Sequence, residues 1–369
     1  PLEVWKRYAR RAYPDYIVAD ETLWLEMQES TEGNLALSME EEEILQSTSM
    51  PLLINGRAGS GKSLMLYYRF ADYCSHYLKT SRQGTSPYHP LFLTYSASLV
   101  QQARDRVSAI LRISHRYRED GCSFSAEEIR QCRAFFRTFQ DYLLGCLPPE
   151  RQERYQPDQH INFYRFQNWY RRRRDVDLEL AWHTIRTLIK GYEASGYLDP
   201  DGYREVPEAD RSVDERSFER IYKEIWPNYQ ERITREDYWD DQDLARDVLQ
   251  NGTLNPIHPV IFCDEVQDFT QLELNIIFCL SPWGKYKLDW TVERLPYAFA
   301  GDPLQTINPT GFRWAALKKY LYEHIRAYLS PTHSFRIEDP QELKNNSVSY
   351  THLRAHETPE HLVCRLLLE

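Results

Sequence analysis

GRAGSGKS, residues 56–63, is the stretch on which the reading of this 369-residue chain turns. Two glycines flank four residues and Lys-Ser follows, which is the spacing of a phosphate-binding loop. Average residue usage would produce that pattern in about one chain in a hundred of this length. Ahead of it PLLIN (51–55) is a short apolar run that reads as a strand. Behind it KSLMLYYRFADYC (62–74) sets apolar residues at helical spacing. Gly56, Gly59 and Gly61 allow the N–H groups of the loop, with Arg57, Ala58 and Ser60 between them, to turn inward around phosphate oxygens. The helix that follows aims its positive end at the same anion. Lys62 would reach the β- and γ-phosphates and the Ser63 hydroxyl would ligate Mg²⁺. A glycine-rich turn that holds no ligand has no use for the Lys-Ser pair.

Two further strings follow in a fixed order, DEVQD at 264–268 and GDPLQTI at 301–307. Each comes after an apolar run, and VIFC (260–263) is unbroken, as a strand covered on both faces must be. Asp264 at its end would hold Mg²⁺, and Glu265 would orient or deprotonate an attacking water. An Asp-Glu pair after a strand reads on its own as the start of a solvated loop. A phosphate loop upstream makes it the partner of that loop in one nucleotide-hydrolysing site.

DEVQD followed by GDPLQTI resembles the UvrD/Rep-like branch of superfamily 1 helicases, whose second and third motifs read DExQD and GDxxQSI. LFLTYSASLVQQAR (91–104) is similar to that family's single-strand-binding motif, and DYWDDQDLA (237–245) to a recurrent Asp-rich stretch. GFRW (311–314) and SPTHSFR (330–336) stand where the family keeps a base-stacking aromatic and a γ-phosphate arginine. The likeness spans roughly residues 37–336. It implies an α/β P-loop NTPase (RecA-like) fold, a parallel sheet with helices on both faces and an inserted, mostly helical subdomain.

The same resemblance implies ATP and Mg²⁺ as cofactors and single-stranded DNA, or duplex with a single-stranded tail, as partner. By it Gln305 senses the γ-phosphate and Arg336 adds positive charge in the transition state. Thr94 and Ser96 touch the DNA backbone, and Phe312 or Trp314 stacks on a base, where ordinary core packing is the other reading of each ring. Stacking of this kind contributes about 1–3 kcal/mol per base and tolerates any sequence. The implied activity is that of an ATP-dependent DNA helicase or translocase. A nucleotide-dependent regulatory or defence module on the same fold, which does not unwind, is the alternative.

Two positions depart from the family pattern. Glu41, within LSMEEEEIL (37–45), falls where a glutamine grips adenine, and an ionised carboxylate accepts but cannot donate. An acidic helix start is the other reading of that stretch. Ala97 and Ser98 replace the usual Asn-Lys of the strand-binding motif.

Lys62 and Asp264 lie about two hundred residues apart, too far for one compact core, so something is inserted. AEEIRQCRAFFRTFQDYLLGCL (126–147) and DLELAWHTIRTLIKGYEASGYL (177–198) read as helices, with breaks at Pro148-Pro149, Pro157 and Asp199-Pro200. The expected organisation is an N-terminal helical extension over 1–36, motor segments over 37–106 and 251–347, and the helical insert over 107–250. In the insert NFYRFQNWYRRRRD (162–175) reads either as a nucleic-acid-contacting patch or as a salt-bridged solvent face.

Composition agrees with these expectations. The chain is 42% hydrophobic with a formal charge of −10, which leaves room for a local basic groove and no general coat of positive charge. No apolar run approaches a membrane span. Seven cysteines without CxxC spacing read as reduced thiols in a cytoplasmic protein. VSYTHLRAHET (348–358) and LVCRLLLE (362–369) resemble one frame of a transposase-type sequencing adapter, with an amphipathic tail helix as the alternative. On the adapter reading the natural frame is cut near Ser347, and the second motor domain of the parent chain is missing.

Overall fold

The computed structural model describes residues 44–45, 50–57, 59–82, 88–114, 123–173, 176–282, 295–304, 312–326 and 337–343. The expectations for residues 1–36, Glu41, Ala58, Gln305, Arg336 and the 348–369 tail lie outside them.

Six strands form one sheet: β1 (Leu52–Gly56), β2 (Leu91–Thr94), β3 (Phe136–Thr138), β4 (Ile261–Cys263), β5 (Tyr297–Gly301) and β6 (Gln341–Leu343). Their order is β3-β2-β4-β5-β1-β6 and every pairing is parallel. Parallel strands need crossovers, and the crossover helices cover both faces, so the central strands are apolar on both sides. All residues of β2, β4 and β5 are buried.

Alternation along each strand divides these residues between two cores. Phe92, Phe262, Ala298 and Ile54 face helices α1 (Lys62–Ser81) and α2 (Ala97–Ser114). There Phe70 sits at 5.3, 4.8 and 5.1 Å, ring centre to ring centre, from Phe92, Phe136 and Phe262. Leu93, Cys263, Phe299 and Leu53 face the other way, onto α3 (Gln271–Cys279), α4 (Trp314–Arg326) and the helices Phe139–Cys146 and Asp241–Asn251. The expected fold class is the one found.

The helical insert has its own core, drawn from residues between Ile161 and Tyr229, with Phe166, Trp182, Ile185, Tyr203 and Phe218 buried in it. That core is narrower than the 107–250 span expected from sequence. Residues 107–111 of α2 still pack on the sheet, β3 is the sheet's edge, and the helix Asp241–Asn251 returns to it. β3 is hidden in the sequence because Phe-Arg-Thr is three residues long and flanked by helix-forming residues, too short for an alternation to register.

The Asp-rich stretch 237–245 anchors the insert. Asp240 caps the helix Asp241–Asn251 and, with Asp243, receives the buried Lys190 ammonium at 2.5 and 2.6 Å. Tyr229 donates to the same Asp240 oxygen at 2.6 Å. Burial disfavours the Lys190 charge, but the two carboxylates outweigh it and hold its pKa above the ordinary lysine value.

Candidate functional site

β1 ends at Gly56, where a Cβ would come 2.3 Å from Ser60 Oγ and 3.1 Å from Leu343 Cβ, so a larger residue there would force a shift in the turn. Gly59 and Gly61 have φ of 73° and 90°, a left-handed conformation that glycine adopts without steric cost. Gly61 then caps α1, whose first residue is Lys62. Ser60 Oγ is buried with no partner among the described residues. A glycine-rich turn with left-handed glycines at the start of a 20-residue helix is a ready anion site.

β4 lies one strand away from β1, with β5 between them, and all three end on the same edge. There the buried Lys62 ammonium stands 3.8 Å from Glu265 Oε1. Asp264 is 1% exposed; its Oδ1 accepts the Glu265 N–H at 3.0 Å, and Oδ2 has no hydrogen-bond partner among the described residues. Burial, and next the Glu265 carboxylate, push Asp264 up to about 7, while Ser63 and Lys62 pull the other way. A bare carboxylate oxygen beside a serine hydroxyl suits a hard cation. Among the described residues no group of three or more His, Cys, Asp or Glu converges on one point. A cation at Asp264 would therefore take its other ligands from the Ser63 hydroxyl, phosphate and water, as Mg²⁺ does in nucleotide sites.

Glu265 is held by a residue to which sequence reading gave no role. It has a left-handed backbone (φ 53°), and its Oε2 accepts from Gln267 Nε2 at 2.6 Å. Gln267 Oε1 in turn accepts the Asp302 N–H at 3.0 Å. One buried amide thus ties the acid after β4 to the loop after β5, the loop that carries GDPLQTI. Gly301 makes room for it, since a Cβ there would meet Gln267 Oε1 at 2.5 Å. The glutamine in DEVQD and the glycine in GDPLQTI were the available signals.

The strand-binding candidates divide. Thr94 ends β2 fully buried, and its hydroxyl meets no partner among the described residues, so its side chain does not reach the surface. Ser96 is half-buried at the start of α2, with its Oγ 2.7 Å from Ser98 Oγ. Phe312 and Trp314 form an edge-to-face pair (5.2 Å, 80°) at the start of α4, both half-buried against the sheet core. Between these groups lies Arg186 of the insert, also missed in the sequence. Its Nη2 donates to Tyr95 Oη at 2.8 Å and to the Asp268 carbonyl at 3.3 Å, linking the β2 and β4 loops.

The arginine-rich segment divides as well. Phe166 and Tyr170 are core residues, Arg173 pairs with Glu224 at 3.0 Å, and Tyr164, Arg171 and Arg172 are exposed.

Comparison with protein-family models matches residues 37–325 to the UvrD/REP helicase N-terminal domain. The chain belongs to the UvrD/REP helicase family. A search of the curated proteins matched none. In this helicase domain Lys62, Ser63, Asp264 and Glu265 meet at the carboxyl ends of the strands, where ligands bind in open α/β sheets. Gln305 and Arg336 lie outside the described residues. Among the described residues no helix is long and apolar enough to cross a membrane.

Proposed function

We propose that this UvrD-like domain binds Mg-ATP between the phosphate loop and the Asp264–Glu265 pair and uses its hydrolysis to track single-stranded DNA. The observation that carries this reading is the facing of Lys62 and Glu265 at 3.8 Å, beside the bare Asp264 Oδ2. A phosphate drawn in by the loop N–H groups takes Lys62 on its β,γ oxygens. Ser63 and Asp264 would hold Mg²⁺, which when bound neutralises charge on the phosphates. Glu265, steadied by Gln267, orients the attacking water and accepts its proton. Gln305 and Arg336 sense and stabilise the γ-phosphate, as the family motifs imply.

On the DNA side Ser96 contacts the backbone and Phe312 or Trp314 stacks on a base. Arg186, joining Tyr95 to the Asp268 carbonyl, gives the strand-binding loop a direct mechanical connection to the acidic loop. Hydrolysis needs charge on both sides of the γ-phosphate, and lack of such an arginine typically removes roughly 10³–10⁵-fold in rate.

ATPase rates with and without an unstructured oligothymidylate test the proposal. A motor domain is stimulated by the strand, and Glu265→Gln abolishes turnover while leaving nucleotide binding intact. A rate indifferent to the oligonucleotide would instead indicate a nucleotide switch.

A further inference from the structure

Asp210 ends the short turn Glu208–Asp210 of the insert and reaches across to the motor. Its Oδ1 accepts from Arg313 Nη2 at 3.2 Å and its Oδ2 from Lys319 Nζ at 3.1 Å. Each carboxylate oxygen takes one cation, so the pair presents the geometry of a site for a two-oxygen anion. The cations are 46% and 43% exposed and Asp210 is 18% exposed, which leaves both cations open to solvent on their outer side. Arg313 stands between Phe312 and Trp314, the two candidate base-stacking rings.

Under this bridge the insert and α4 enclose a cleft lined by Thr187, Tyr192, Gln271, Phe312, Arg313 and Tyr320. The cleft measures about 50 Å³, room for roughly four waters and too little for a base. Gln271 Oε1 is buried with no partner among the described residues. The cleft therefore combines an aromatic face, an unpaired amide oxygen and two cations, with a carboxylate seated on the cations.

We propose that Asp210 is an internal stand-in for a nucleic-acid phosphate. It holds the insert shut on α4 by occupying Arg313 and Lys319, and a single strand entering beside Phe312 displaces it. The strand's phosphates then take over both cations as the cleft widens around a base. This rests on the strand-tracking function proposed above. Half-exposed ion pairs hold weakly, whereas phosphate contacts also release counterions, so the exchange favours the strand most at low salt.

The test is fluorescence anisotropy of a labelled oligothymidylate between about 50 and 200 mM salt, with Mg-nucleotide affinity measured on every variant as a check of folding. Asp210→Asn removes the competing charge and should tighten strand binding about 3- to 10-fold at the low-salt end, with the log–log salt slope unchanged because the strand's phosphates take both cations in either chain. Adding Arg313→Ala and Lys319→Ala to Asp210→Asn should reverse the tightening and make the slope shallower by about 1.4, or 0.7 for each cation lost, and Asp210→Glu should bind as the parent does. If the parent chain binds the strand and Asp210→Asn binds no more tightly at any salt, the stand-in is refuted and the strand-tracking function stands. If neither chain binds the strand while both bind nucleotide, both proposals fall.

Discussion

Replacing Gln267 by alanine should uncouple hydrolysis from nucleotide binding. Gln267 is 1% exposed and bridges two groups: its Nε2 donates to the Glu265 carboxylate and its Oε1 accepts from the Asp302 N–H. A bond to an ionised group contributes about 1.5–3 kcal/mol, toward the lower figure here because the Glu265 side chain is 21% exposed. The Asp302 N–H, in a residue 3% exposed, would be left buried and unpaired at a cost of about 1–3 kcal/mol. Together these give a loss of about 2.5–4.5 kcal/mol in stability, measurable by urea unfolding. A carboxylate freed to shift by an ångström should lower turnover about 100-fold, while nucleotide affinity stays near that of the parent. Gly301→Ala, which drives a methyl toward Gln267 Oε1, should reproduce the kinetic defect by an independent route. The effects of Gln267→Ala and Glu265→Gln on turnover should be strongly non-additive. Unchanged stability and turnover in Gln267→Ala would refute the bridge.

Other consequences are structural. Phe70→Ala, which empties the centre of the ring cluster between α1 and the sheet, should lower the urea-unfolding free energy by about 3–5 kcal/mol. Lys190→Ala leaves the Asp240 and Asp243 carboxylates facing each other in the interior and should cost about 3–5 kcal/mol in unfolding free energy; a near-neutral result would contradict the anchoring role. His258 bonds Tyr142 and the His89 carbonyl, and burial pulls its ring down to about 4 from an ordinary 6.5. Its stabilisation is therefore complete above pH 6.5 and is lost as pH falls through 4, about 3 kcal/mol in all. His258→Gln should flatten that part of the unfolding free energy against pH, and an unaltered slope would count against it.

What could be read in the sequence was what local chemistry dictates. The glycines of residues 56–61 close a turn into a helix and the VIFC run forms a strand buried on both faces, while the Lys62-Ser63 pair stands at the start of that helix. The features that were not legible depend on partners distant in the chain. Gln267 becomes a bridge only when β4 and β5 lie side by side and bring Asp302 within reach. Arg186 sits in a segment with no motif, and its value comes from two loops contributed by β2 and β4. Nothing local marks Lys190 as buried, because its partners Asp240 and Asp243 lie some fifty residues further along the chain. Thr94 carries the match to the family's strand-binding motif, yet as the last residue of β2 its side chain is completely buried.

The account stands most directly on whether the Lys62–Glu265 edge is a nucleotide site. Isothermal calorimetry of the chain with ATP, with and without Mg²⁺, should show magnesium-dependent binding. In Lys62→Ala, with its helical circular dichroism unchanged, the affinity should fall by about 10- to 100-fold through loss of a bond to a charged phosphate. Equal Mg-ATP affinity in the parent and in folded Lys62→Ala would contradict the assignment of this edge of the sheet as the site.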